Sequence, residues 1–239
     1  MTTSKQSLSQ AAARNNAEWC AVMSRTHGVA GEFGAQAWAA PARTPLYYPD
    51  AVTLVPGADP AALVAGIDTA VPGASVKDSF ADLDLTEAGF QVLLDAQWIH
   101  RPADAPANPS GLVWDVAGDP DVLRAWALAW DNGGGNADLF RPALLGDPDT
   151  FVLAGRSAEG RVVAGAVASR SDQVVGVSNV FALDGGPDTA WPGVLDMLHQ
   201  LFPALPVVGY EHGDDLAAAV RHGFEPVGGL RVWIHAGQG

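Results

Sequence analysis

The chain has 239 residues, 48% hydrophobic and 17% charged, which is enough apolar material for one large domain or two small ones with real cores rather than a disordered chain. Its formal charge is −14, shared as −4 over residues 1–102 and −10 over residues 103–239. A surface so poor in Lys and Arg excludes nucleic acid and anionic membranes as expected partners, opposes polyanionic ligands, and draws in a small cationic amine.

No stretch approaches the roughly 20 uncharged apolar residues of a membrane span, and the opening MTTSKQSLSQAAARNN lacks the basic-then-apolar order of a secretory signal, so a cytoplasmic location is expected. Residues 1–14 read as a flexible N-terminus. The single cysteine, Cys20, has no internal disulfide partner and stands among apolar residues as a small buried hydrophobe would.

In chain order, Asn15 to His27 is the first helix candidate, with Trp19, Cys20, Val22 and Met23 near one face. Ala51 to Val55 reads as a strand, and Asp59-Pro60 opens a helix to about Ala70, with Asp59 as N-cap and Pro60 at the first helical position. A strand over 74–80, a short helix over 82–88 and a strand over 91–99 complete an N-terminal unit spanning 15–102. Trp38, Tyr47 and Tyr48 flank the proline-rich RTPLYYPD segment, either as core or as the lining of a cleft.

Residues 103–110, inside the run RPADAPANPS, read as a linker. Beyond it a C-terminal unit, 111–239, begins with a strand over Gly111 to Val116 and a helix from Asp119-Pro120 to about Trp130. Thr150 to Gly155 and Arg161 to Arg170 form a predicted hairpin about the turn SAEG. A strand from Val174 to Ala182, a helix from Trp191 to Phe202 with Pro192 in its first turn, a strand from Pro206 to Tyr210, a helix over 214–222 and a strand from Pro226 to His235 follow. The order is β-α-β-β-β-α-β-α-β.

The two halves share a pattern. VPGASV, LTEAGF and QWIH in the first half have counterparts FPALPV, AVRHGF and VWIH in the second, at spacings that drift only from 131 to 135 residues. Each copy predicts a strand, then a short helix ended by a left-handed glycine, Gly89 or Gly223, then a strand with Trp inward. His100 and His235 occupy equivalent places in that pattern, which accounts for their recurrence without catalysis.

The richest polar cluster is Tyr210-Glu211-His212-Gly213-Asp214-Asp215, at the carboxyl end of a predicted buried strand, where open α/β sheets place ligands. Acyl transfer to an amine needs a base for the ammonium proton, Glu211 or His212, and an acid near the leaving sulfur, Tyr210. The plainer alternative is a helix capped by Asp214 or Asp215 with Glu211 and His212 solvated beside it. The cluster's spacing matches no established metal-ligand pattern, and no metal is expected. Gly-x-Ser-x-Gly, Walker and dinucleotide fingerprints are missing from the sequence.

From Thr150 to His235 the succession hairpin, strand VVGVSNVFA, helix, strand PVVGYEHG and helix ending in Gly-Phe resembles the core of the GNAT (Gcn5-related N-acetyltransferase) superfamily. The resemblance implies a GNAT-like mixed α/β sheet flanked by helices, two such units in tandem, and an acyltransferase using acetyl-CoA or another acyl-CoA on a small amine; the rival is a binding module that has lost acetyl-CoA. A homodimer is the expected assembly. It further implies a cofactor gap bordered by Val180, Phe181 and Ala182, with Gly185 and Gly186 letting backbone approach an anion. Two departures stand out. The basic residue of the family's pyrophosphate loop is missing from LDGGPDTAWPG, where Asp184 and Asp188 add negative charge, so the enzyme reading needs a basic residue from elsewhere, Arg170 or Arg221. Ala219 stands where many family members carry a tyrosine that protonates the departing thiolate.

Overall fold

The computed structural model describes residues 4–106 and 110–236. Helix α1, Lys5–Thr26, starts ten residues before the predicted boundary. Ser4 caps it by accepting a hydrogen bond from the Ser7 N–H at 3.2 Å, and the alanines at 12, 13 and 17 bury at little entropic cost beside Trp19, Cys20 and Met23. From Lys5 onward the supposed flexible start is therefore helix; residues 1–3 lie outside the described part. Strands β1, Glu32–Phe33, and β2, Ala37–Ala39, are too short to leave a sequence signature. Strand β3 spans Ala51–Thr53, and α2, Pro60–Ala65, begins as its cap predicts, with Asp59 accepting from the Ala61 and Ala62 N–H groups. Strand β4, Ser75–Asp78, a 3-10 turn at Thr86–Ala88 and strand β5, Phe90–Arg101, follow.

After the predicted linker, whose residues 107–109 lie outside the described part, β6 spans Val113–Val116 and α3 spans Pro120–Asp131, capped by Asp119. Two 3-10 turns, Ala137–Leu139 and Pro142–Gly146, lie between α3 and the hairpin. Strands β7, Thr150–Arg156, and β8, Val162–Arg170, make the predicted antiparallel hairpin, and β9, Val175–Ala182, pairs antiparallel with β8. Helix α4, Pro187–Leu201, starts at Pro187 rather than near Trp191, because both prolines fit a first-turn position and Gly186 caps the earlier one. Pro192 thus lies inside α4, where it forfeits one backbone hydrogen bond. Strand β10, Val207–Glu211, helix α5, Gly213–Arg221, and strand β11, Glu225–His235, end the described chain.

Two compact units result, one from the described residues up to 98 together with those from 227 on, the other from 99 to 226. The last strand belongs with the first unit, since β11 pairs antiparallel with β4, Trp233 opposite Val76. In that unit β3 and β4 pair in parallel, and Leu63, Ile67, Leu83, Phe90 and Trp233 form the core. In the second unit the sheet order is β10-β9-β8-β7-β6. Alanines 164, 166 and 168 of β8 enter the core with Trp191, Leu195 and Leu198 of α4, while Gly165 between them faces the Trp126 indole of α3. The mixed sheet of this unit is flanked by helices on both faces. Trp38 and Tyr48 are core, Tyr48 edge-on to Trp19 at 5.8 Å, whereas Tyr47 is exposed.

The repeated segments adopt the same local structure. Gly89 and Gly223 both hold left-handed φ, 83° and 88°. Gly89 donates to the Thr86 carbonyl and Phe90 to that of Leu85; Gly223 donates to Val220 and Phe224 to Ala219, with matching lengths of 3.0 and 3.2 Å in each pair. The parallel pairs Ala51 with Val76 and Val175 with Val207 occupy corresponding places as well. A Cβ is strained at such φ by about 1–2 kcal/mol. Gly89→Ala and Gly223→Ala should therefore each lower stability by about that amount in denaturant titrations, while Gly111→Ala, where no atom lies within 4 Å of an added Cβ, should change little.

Candidate functional site

Only two residues of β10, Val207 and Val208, pair with β9, opposite Val175 and Gly176. Beyond them the ladder stops, although a Cβ on Gly209 would still lie 2.8 Å from the Val177 carbonyl oxygen; the expected cofactor gap would fall past that point, beside the carboxyl half of β9. That half contains a bulge: the register to β8 slips by one residue between Gly165 and Val167, and Asn179 takes a left-handed φ of 54°. The slip resets the alternation of side chains. Val175 and Val177 face the α4–α5 core, and after the bulge Val180 and Ala182 do so in place of 179 and 181. Phe181 turns to the opposite face, edge-on to Trp126 at 5.3 Å. Of the three expected gap residues, Val180 and Ala182 share a face and Phe181 does not. Ser178 accepts a hydrogen bond from the Asn179 amide at 3.0 Å.

Tyr210 and Glu211 are consecutive on β10, so their side chains leave opposite faces of the strand. Glu211 is half-buried, and burial first, then the Asp215 carboxylate, push its carboxyl up to about 8. A carboxylic acid that titrates there exchanges a proton near neutral pH, as a general base or acid must. His212 is exposed and is itself the N-cap residue of α5, without a side-chain cap bond. Neither Asp214 nor Asp215 caps that helix; both lie within its first turn, where a carboxylate is favoured by the helix dipole. Among the described residues no group of three or more His, Cys, Asp or Glu is arranged to hold a metal ion.

The loop after β9 leads through Gly185 and Gly186, both at left-handed φ of 77° and 66°, into the first turn of α4. Gly186 caps the helix without any side-chain oxygen, and Pro187 brings no N–H, so the first-turn donors are those of Gly186, Asp188 and Thr189, with Thr189 turned back to the Gly186 carbonyl at 3.1 Å. Asp188 does not stand there as a free negative charge. The Arg221 guanidinium, from the last turn of α5, forms an ion pair with it, and His222 Nε2 lies 3.2 Å from its Oδ1. Arg221 holds the Asp188 carboxyl below the usual carboxylate range. Arg170, the other candidate, is taken by Asp149 at 2.5 Å. The sequence offered no means of choosing between them, because the pairing depends on where α5 ends relative to α4.

Ala219 is fully buried in the core with Trp191 and Phe224. Cys20 is buried as expected, and burial raises its thiol above the ordinary range. His100 is half-buried, and burial, partly opposed by Glu225, lowers it. His235 is buried with Nδ1 unpaired among the described residues.

Glu211 sets a pH dependence. Its folded pKa lies above the unfolded value, so the neutral acid is favoured on folding; its contribution is complete below about pH 4.5 and is lost as pH rises towards about 8. Glu211→Gln removes this loss. The variant's melting temperature should match wild type near pH 4, exceed it increasingly through that window and keep a constant lead above it; a difference independent of pH would show that Glu211 titrates normally.

No family model matches the sequence, and no curated protein matches it. Solved structures do. A GCN5-related N-acetyltransferase from Kribbella flavida superposes with a TM-score of 0.63 at 21% identity, over 95% of this chain and 96% of that one. A GNAT-family protein from Novosphingobium aromaticivorans gives 0.53 at 14% identity, over 92% and 96%, and a GCN5-related N-acetyltransferase from Sphaerobacter thermophilus 0.53 at 13%, over 72% and 62%. Identities of this size speak to the fold alone: the chain has the GNAT fold.

Proposed function

We propose that this chain transfers an acetyl or other acyl group from an acyl-CoA thioester to a small, cationic amine, in the cytoplasm, with Glu211 as the general base. The observation that carries the reading is Glu211 itself, a half-buried carboxyl titrating near 8 at the open end of β10, beside the gap in which the fold would seat a thioester. The acidic surface is consistent with a cationic acceptor. The donor set at the first turn of α4 suits a pyrophosphate: two successive glycines, a helix N-terminus and the Arg221 guanidinium in reach of it.

In this reading the acyl-CoA lies between the diverging strands, in the plane of the sheet. The side chains of Glu211 and Tyr210 then approach it from the two faces. Glu211 takes a proton from the ammonium; the neutral nitrogen attacks the thioester carbonyl, the C–N bond forms and the C–S bond breaks. Tyr210 protonates the leaving thiolate, a role the buried Ala219 cannot fill, and the acylated nitrogen gives up its second proton, which restores the Tyr210 hydroxyl, while Glu211 releases the first to solvent. Turnover should rise with pH up to about 8 as Glu211 ionises.

Release of free thiol from acetyl-CoA, measured with a panel of small primary amines, tests this directly. General-base removal costs around 10²- to 10⁴-fold, so Glu211→Gln should lower turnover by that order, with His212→Ala and Cys20→Ala near wild type. Arg221→Gln should raise the KM for acetyl-CoA more than it lowers kcat. Unchanged turnover in Glu211→Gln removes it as the base. Binding of acetyl-CoA with no transfer to any amine would favour the binding-module reading.

A further inference from the structure

Away from the β9–β10 gap, the second unit contains a cavity of about 260 Å³. One wall is apolar, formed by Leu195 and Leu198 of α4, Phe202 just after it, Leu205 and Val207; His199 and the segment from Arg101 to Pro106 complete the lining. Into this lining comes Arg101, the last residue of β5, which is only 5% exposed. Its Nε donates to the His222 carbonyl at 3.0 Å and its Nη2 to the Pro106 carbonyl at 2.6 Å. Both acceptors are neutral, and among the described residues no carboxylate forms an ion pair with it. A guanidinium cannot shed its proton, so this is a buried cation whose charge the described residues leave uncompensated, a costly arrangement. Asp104 also borders the cavity, but it is exposed and does not pair with Arg101.

We infer that this cavity is a second binding site, for a small carboxylic acid with an aliphatic or aromatic body, whose carboxylate pairs with Arg101 while its apolar part fills the space against α4. The size is suitable: cavities of about 150 Å³ hold a benzene ring, so this one takes a ring with a short acid arm. A pocket with an apolar wall and a few convergent polar groups is the usual form of a small-molecule site. The pairing also answers the charge problem, because a carboxylate offers the planar two-oxygen acceptor that the free guanidinium edge matches. The cavity shares no lining residue with the proposed acyl-CoA gap, and its occupation does not depend on the chain being an enzyme. His222 connects the two regions, since its carbonyl accepts from Arg101 and its ring contacts Asp188 at the start of α4.

Calorimetric titration of the full chain with phenylacetate, benzoate and hexanoate, at fixed ionic strength and without acyl-CoA, tests the inference. At least one acid should bind, and the neutral phenylacetamide should bind at least ten-fold more weakly than phenylacetate. Arg101→Gln should cost ten-fold or more in affinity. Because that change also removes two internal hydrogen bonds, Leu205→Trp serves as a second variant: it fills the cavity, leaves Arg101 in place, and should abolish binding at an unfolding temperature near wild type. Asp104→Asn should tighten binding and Arg221→Gln should leave it unchanged. The site is wrong if none of the three acids binds, if amide and acid bind alike, if Leu205→Trp retains wild-type affinity, or if Arg221→Gln abolishes binding and so moves it to the loop before α4.

Discussion

The second unit depends on how briefly β10 stays with β9. Two residues of parallel pairing fix the strands at their start, and the proposed acyl-transfer site lies where that pairing stops. The bulge at Asn179 belongs to the same constraint. By inserting one residue, it keeps Val180 and Ala182 packed on the α4–α5 core and at the same time gives β9 an irregular edge facing the gap. A strand with unbroken alternation would send those two side chains to the α3 face, where Phe181 already packs against Trp126.

Electrostatics at the mouth of this gap turn on one ion pair. A loop of two glycines followed by a helix N-terminus attracts anions, yet the acidic residues around it oppose them in a chain of net charge −14. Arg221 supplies the opposing charge through Asp188. Both side chains are well exposed, so the pair contributes little to stability, and its importance lies in where it holds a cation. His222, the next residue, contacts the same carboxylate.

Much of this was legible in the sequence, for identifiable reasons. Asp59-Pro60 and Asp119-Pro120 each join a side-chain acceptor to a fixed φ, and the helices begin there. The Gly-Phe pairs demanded left-handed caps and received them. The strand read over 206–210 is β10, one residue shifted, and the end of its ladder with β9 after Val208 is where the GNAT resemblance put a parting of the two strands. Other features were hidden. The first turns of α1 are polar and alanine-rich, and only the Ser4 cap marks them. The exchange of β11 into the first unit is a matter of long-range pairing, invisible to local pattern. The raised pKa of Glu211 reflects burial plus Asp215, and the choice of Arg221 over Arg170 reflects the tertiary approach of α5 to α4. The bulge, too, has no signature beyond an asparagine, a residue that tolerates left-handed φ.

The central claim is that a CoA pyrophosphate sits on the Gly185–Gly186 turn and the first turn of α4, with the pantetheine arm running along the free edge of β9. Backbone amide NMR of the intact chain, titrated with coenzyme A, observes those donors one by one. The account predicts that the largest shift changes fall on Gly185, Gly186, Asp188 and Thr189 and on residues 178–182, and that they weaken as salt is added. Changes confined to other parts of the chain, or none at millimolar coenzyme A, would contradict it.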